Sequence, residues 1–151
     1  ISDNMFYPLM TQLSAPPKPF YAQEAALRLQ EWRARHTEPW AQAILDNAFA
    51  VSLLEAAFGH SSYLTRLLFL YPHTLRNLVE LNADTAFAGI MTAMEAPLPE
   101  SAEALMTPLR ELKGQTALLV ACADIAGLWP LAKVTDALSR FAEGALRRVV
   151  D

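Results

Sequence analysis

Apolar residues recur along this chain at intervals of three and four, the spacing that puts side chains on one face of an α-helix. Between residues 21 and 36, Ala25, Leu29 and Trp32 form one stripe, with Glu24/Arg28 and Glu31/Arg35 as i,i+4 pairs on the wet side. Thr37 and Pro39 open a second run, through Trp40, Ile44, Ala48, Val51, Leu54 and Phe58, that predicts one helix ending at Phe58. Proline is tolerated there because first-turn N–H groups have no helical partner. Gly59 stands where a left-handed glycine would stop that helix. Ser61 or Ser62 caps the next, with Leu64, Leu67, Leu68 and Tyr71, and Pro72 ends it and opens a shorter helix carrying Leu75, Leu78 and Leu81.

Asp84 is the predicted N-cap of a helix over residues 85–95, and Pro97 and Pro99 mark an interior linker. Ser101, followed by Glu103, opens a long helix to Ala126 that Gly127 closes. After Pro130 the last helix places Val134, Leu138, Phe141, Ala145 and Val149 on one stripe, still periodic at Asp151. That stripe makes Leu138 a core residue, whose truncation to alanine would cost about 2–5 kcal/mol. With no cap at its end, and with Ile1-Ser2-Asp3-Asn4 ahead of the first methionine, Met5, the expectation is a fragment of a longer product.

The architecture expected is all-α, an irregular bundle of six or seven helices over residues 21–151 behind a proline-rich irregular arm over residues 1–20. The linker at Pro97 and Pro99 would divide the bundle into 21–96 and 100–151. Composition supports the helical reading: 26 Ala and 24 Leu stand against 6 Val and 4 Ile in 151 residues, and strands draw on β-branched residues. A net charge of -4 offers phosphate backbones and anionic lipid no general attraction, so neither nucleic acid nor a membrane surface is an expected partner. The most apolar run, from Ala117 to Ala132, is broken by Asp124, Gly127 and Pro130 and is too short to span a bilayer. The single cysteine, Cys122, sits in that run as a buried thiol and fits a reducing, cytoplasmic compartment.

Catalytic templates find no match, and no catalytic, cofactor-binding or metal-binding residue is assigned. His36, His60 and His73 lack ligand spacing and cysteine companions, and read as surface or helix-end residues. The five glycines are isolated, so there is no phosphate loop and no nucleophile elbow. Cys122, between Ala121 and Ala123, has no cation beside it to stabilise a thiolate. Asp124 interrupts Leu118-Leu119-Val120-Ala121-Cys122-Ala123 and must face solvent or pair with Arg140 or Arg66. Arg140, Arg147 and Arg148 read as a solvated face, and Trp32, Trp40 and Trp129 as core rather than a small-molecule pocket.

Three stretches carry a family likeness. The first runs Leu53-Leu54-Glu55-Ala56-Ala57-Phe58-Gly59-His60-Ser61-Ser62-Tyr63-Leu64-Thr65-Arg66-Leu67-Leu68, ahead of a Pro72 helix. The second and third are continuous: Ala123-Asp124-Ile125-Ala126-Gly127-Leu128-Trp129-Pro130-Leu131, then Lys133-Val134-Thr135-Asp136-Ala137-Leu138-Ser139-Arg140-Phe141-Ala142. Together they resemble the region near the N-terminus of bacterial glutamine-synthetase adenylyltransferase and adenylyl-removing enzymes, over residues 50–150. One departure is Tyr71, before Pro72, where the family often has a charged residue.

The resemblance implies an enzyme that adds AMP to, and removes it from, a tyrosine of glutamine synthetase in nitrogen regulation. It also implies ATP and magnesium for the whole enzyme, a nucleotidyltransferase core as neighbour, and a PII-type signalling protein as a candidate regulator. The core's Ser-Asp-x-Asp strand is missing here: the one Ser-Asp dipeptide, Ser2-Asp3, has Met5 two positions on. This helical segment is therefore expected to buttress the core through its last two helices, without catalysis of its own. The rival expectation is a free-standing helical adaptor that binds a partner helix.

Overall fold

A computed structural model describes residues 19, 21–97 and 101–150; the expected arm over residues 1–20 falls outside it, apart from Pro19. The described residues form eight helices and no strand: α1 (Ala22–Arg35), α2 (Pro39–Leu45), α3 (Ala48–Phe58), α4 (Ser62–Leu70), α5 (Pro72–Glu80), α6 (Ala83–Met94), α7 (Ala102–Ile125) and α8 (Leu131–Val150). The all-α expectation holds, with one helix more than the pattern predicts. The run from Pro39 to Phe58 is two helices that meet at 88°. Asn47 takes an extended backbone and its side chain accepts the Ala50 N–H, so a cap breaks the helix although the apolar stepping continues across it.

α7 is the central helix. Its C-terminal half buries Leu118, Leu119, Val120, Cys122 and Ala123, the all-round apolar pattern of a helix enclosed by neighbours. α3, α4, α5, α6 and α8 all pack on it. One apolar cluster runs from Ala25 to Phe141, with Trp32, Ile44, Leu53, Leu54, Leu68 and Leu75 at its middle. Gly114 of α7 admits the ring of Tyr71, since a Cβ there would stand 2.5 Å from Tyr71 Cε2. Among the described residues no single helix is long and apolar enough to cross a membrane.

Pro72 shapes a second part of the core. A proline has no N–H, so the carbonyl of Leu68, four residues back, loses its helical donor. The indole N–H of fully buried Trp32 supplies one, at 3.3 Å. Tyr71 closes α4 and opens α5 with its backbone alone; neither its own side chain nor any other caps α5.

Caps settle several expectations. Ser61 and Ser101 accept the Leu64 and Ala104 N–H groups, each at 3.1 Å. Gly127, at φ 72°, closes α7: its N–H reaches the Asp124 carbonyl at 3.0 Å and the Leu128 N–H reaches the Ala123 carbonyl at 2.8 Å, a Schellman motif. Gly127→Ala is expected to cost about 1–2 kcal/mol, because an L side chain resists that backbone region; thermal melting checks it.

Four expectations are corrected. Gly59 is not left-handed; its φ is -85°, and glycine serves there because a Cβ would stand 2.7 Å from Pro19 Cβ. Asp84 is not an N-cap. Asn82 is, accepting the Thr85 N–H at 2.7 Å from φ 148°, a region that glycine alone visits cheaply. The pair Glu31/Arg35 does not form: Arg28 takes both Glu24, at 2.8 Å, and Glu31, at 3.0 Å, while Arg35 lies over the Phe69 ring.

Leu138 is the fourth. It is 46% exposed, and α8 turns Ala137 and Phe141 inward instead. Leu138→Ala is therefore expected to cost under about 1 kcal/mol, the range of surface substitutions rather than of core truncation. A melting temperature lowered as far as a buried leucine would lower it contradicts this placement.

Candidate functional site

The block from Ala123 to Ala142 folds into the corner between α7 and α8. Gly127 reverses the chain at the end of α7, and Leu128 and Trp129 then turn inward beneath Pro130. Trp129 is buried and meets Phe87 of α6 edge-on, with ring centroids 6.0 Å apart. A buried indole N–H requires an acceptor. Asp84 Oδ1, on the first turn of α6, accepts it at 3.0 Å.

Charged groups close over this aromatic pair. Lys133 of α8 pairs with Asp84 and lies 5.5 Å over the Trp129 ring. Arg140, two turns on, lies 5.4 Å over Phe87 and stands 4.0 Å from Asp136 of its own helix. A shallow cleft of about 230 Å³ remains between α6 and α8. Its polar groups are thus engaged with one another, which pins α8 to α6 and leaves no carboxylate poised as a base. Asp84, Phe87 and Lys133 were not legible as a unit in the sequence; the only signal was the unmet need of a buried Trp129 for an acceptor.

The residues weighed as candidates are scattered. Asp124 faces solvent on α7, the first of the alternatives expected for it, while Arg140 is held at Phe87 and Asp136. His60 lies exposed between α3 and α4, and His73 lies exposed at the start of α5. His36 caps α1, half-buried between the rings of Trp32 and Trp40 at centroid distances of 4.5 and 6.2 Å. Arg148 donates to the carbonyl of Ala96, and Arg147 is exposed. The three tryptophans are core or half-buried packing residues, as expected.

The thiol of Cys122 is pushed up to about 12 by burial, so it stays protonated near neutral pH and is shielded from reagents. Thiol modification of the native chain is expected to be slow until the protein unfolds. The raised value also fixes a sign: the neutral thiol favours the folded state fully below about pH 9, and that contribution is lost as pH rises from about 9 towards 12.

The divalent metal implied for the longer enzyme finds no fitting ligand set among the described residues. Among the described residues no three His, Cys, Asp or Glu side chains stand close enough to hold a metal ion. Magnesium in phosphoryl and nucleotidyl sites is held by carboxylates together with phosphate oxygens.

The chain matches the family model of glutamate-ammonia ligase adenylyltransferase over residues 51–151. Curated relatives agree, each named bifunctional glutamine synthetase adenylyltransferase/adenylyl-removing enzyme. The protein from Bradyrhizobium diazoefficiens is 33% identical over 70% of this chain and 11% of its own length. One from a further Bradyrhizobium strain is 34% identical over 80% of this chain and 13% of its own. A Rhodopseudomonas palustris protein is 31% identical over 92% of this chain and 15% of its own, so this chain spans only a small part of the relatives it matches. No solved structure matches. The residues at the α7–α8 corner lie inside the matched region, and the chain belongs to the glutamate-ammonia ligase adenylyltransferase family.

Proposed function

We propose that this chain is a helical, non-catalytic segment of an enzyme that adenylylates and deadenylylates glutamine synthetase, and that it buttresses the nucleotidyltransferase core of that enzyme. One observation carries the reading: the block that bears the family likeness spends its aromatic and charged groups on an internal corner, with Trp129, Asp84, Lys133 and Phe87 satisfying one another. ATP and magnesium then act on the rest of the enzyme in the cytoplasm, and a PII-type protein is a candidate regulator. The buttress acts by fixing geometry, since small misplacements of reacting groups cost large factors in rate.

The test is to supply the 151-residue chain with adenylylated glutamine synthetase and phosphate, and separately with ATP, magnesium and unmodified glutamine synthetase. Neither AMP release nor AMP transfer is expected, while the full-length enzyme performs both. Turnover by the segment alone would overturn its non-catalytic role.

A further inference from the structure

Among the described residues, His36 Nε2 is the one buried side-chain nitrogen or oxygen without a hydrogen-bond partner. His36 forms the joint between α1 and α2. Its backbone N–H closes α1 on the Trp32 carbonyl, and its own carbonyl accepts from Gln42 Nε2 of α2 at 3.4 Å. The ring leans on Trp32 and Trp40 at tilts of 46° and 44°, with 14% of the side chain exposed. Nδ1 stands 3.7 Å from Oε2 of Glu38, a half-exposed side chain, within reach of charge attraction but beyond hydrogen-bond distance.

A neutral imidazole has one N–H to satisfy, and an imidazolium has two. In this seat the second N–H, on Nε2, meets no acceptor, and a buried charged donor without one is costly. The surrounding charges are one-sided. Behind Trp40, α5 brings His73, 5.3 Å from that indole, and Arg76, which lies 5.4 Å over it and pairs with Glu80 at 3.0 Å. An imidazolium would therefore be a second cation on a ring that Arg76 already occupies. The last turn of α1 adds Arg33 and Arg35, the latter over Phe69 of α4, while α2 offers Trp40 and Gln42, neither titratable. Glu38 is the carboxylate that faces the ring. We infer that the α1–α2 joint is proton-sensitive: neutral His36 sits between Trp32 and Trp40, and protonated His36 swings out to pair with Glu38 in water, uncovering both indoles. The change reaches α4, because the Trp32 indole holds the Leu68 carbonyl.

The chain has three tryptophans, so Trp129→Phe leaves Trp32 and Trp40 as its indole emitters. Acrylamide quenching of that emission is followed from about pH 8 down to about pH 5, the range in which histidine charge ordinarily changes. It is measured in this background and with His36→Gln or His73→Gln added. Quenching should rise at least about twofold as pH falls, as local opening of a covered ring gives. The rise should vanish with His36→Gln and persist with His73→Gln. A flat profile in the background protein, an equal rise with His36→Gln, or a rise abolished by His73→Gln would each overturn the inference. Proton NMR of the unsubstituted chain supplies a second reading without a variant that could misfold. The His36 Hε1 resonance should lose the ring-current shift of the two indoles as the ring takes its proton, and a ring-current shift kept through the whole titration would overturn the swing.

Discussion

Trp129→Ala is expected to lower the unfolding free energy by about 3–5 kcal/mol, the range for deleting a buried large aromatic side chain. At about 2–4 °C per kcal/mol for a domain of this size, the melting temperature should fall by roughly 6–20 °C. The indole is buried, meets Phe87 edge-on and donates to Asp84. Its removal opens a cavity and withdraws the donor that seats the first turn of α6 against α8. Trp129→Phe separates the two effects. It keeps most of the apolar volume and loses only the hydrogen bond to Asp84, which is partly exposed and retains Lys133, so its cost should be nearer about 1 kcal/mol. An alanine variant no less stable than the phenylalanine one would show that Trp129 does not hold the corner.

Trp32→Ala should be at least as damaging, again about 3–5 kcal/mol. Trp32 is fully buried between α1, α2 and α4, with Trp40 edge-on at 6.3 Å. Here the phenylalanine variant should not be mild. Pro72 has already removed the helical donor of the Leu68 carbonyl, so Trp32→Phe leaves that carbonyl without a partner at a buried position, at a cost of about 1–3 kcal/mol beyond lost packing. Denaturant unfolding of the three proteins measures both steps. Equal stability of the phenylalanine variant and the parent would show that the indole hydrogen bond contributes nothing.

The elements that local rules govern were legible in the sequence. Ser61 and Ser101 act as caps, Gly127 takes the left-handed position, and Cys122 is buried, because each follows from a residue and its immediate neighbours. Elements that depend on distant partners were not. Asp84 has the composition of an N-cap, but Asn82 holds that position and Asp84 is used by Trp129, 45 residues away. The break at Asn47 was hidden by apolar spacing that runs across it, although Asp46-Asn47 is itself a break signal. Leu138 was misplaced because the apolar arc of α8 is so wide that periodicity alone cannot mark its inward half.

The central claim is that this segment supports AMP chemistry without touching it. The most direct measurement is the rate of AMP release from adenylylated glutamine synthetase by the full-length enzyme carrying Asp124→Asn, read together with its melting temperature. Asp124 is exposed, lies outside the Trp129 corner and joins no metal-binding cluster among the described residues. The prediction is a kcat within about twofold of the parent, apart from any loss that tracks the unfolded fraction, since removal of a true proton-transfer group costs about 10²–10⁴-fold. A fall of that size at an unchanged melting temperature would place Asp124 in the chemistry and contradict the account.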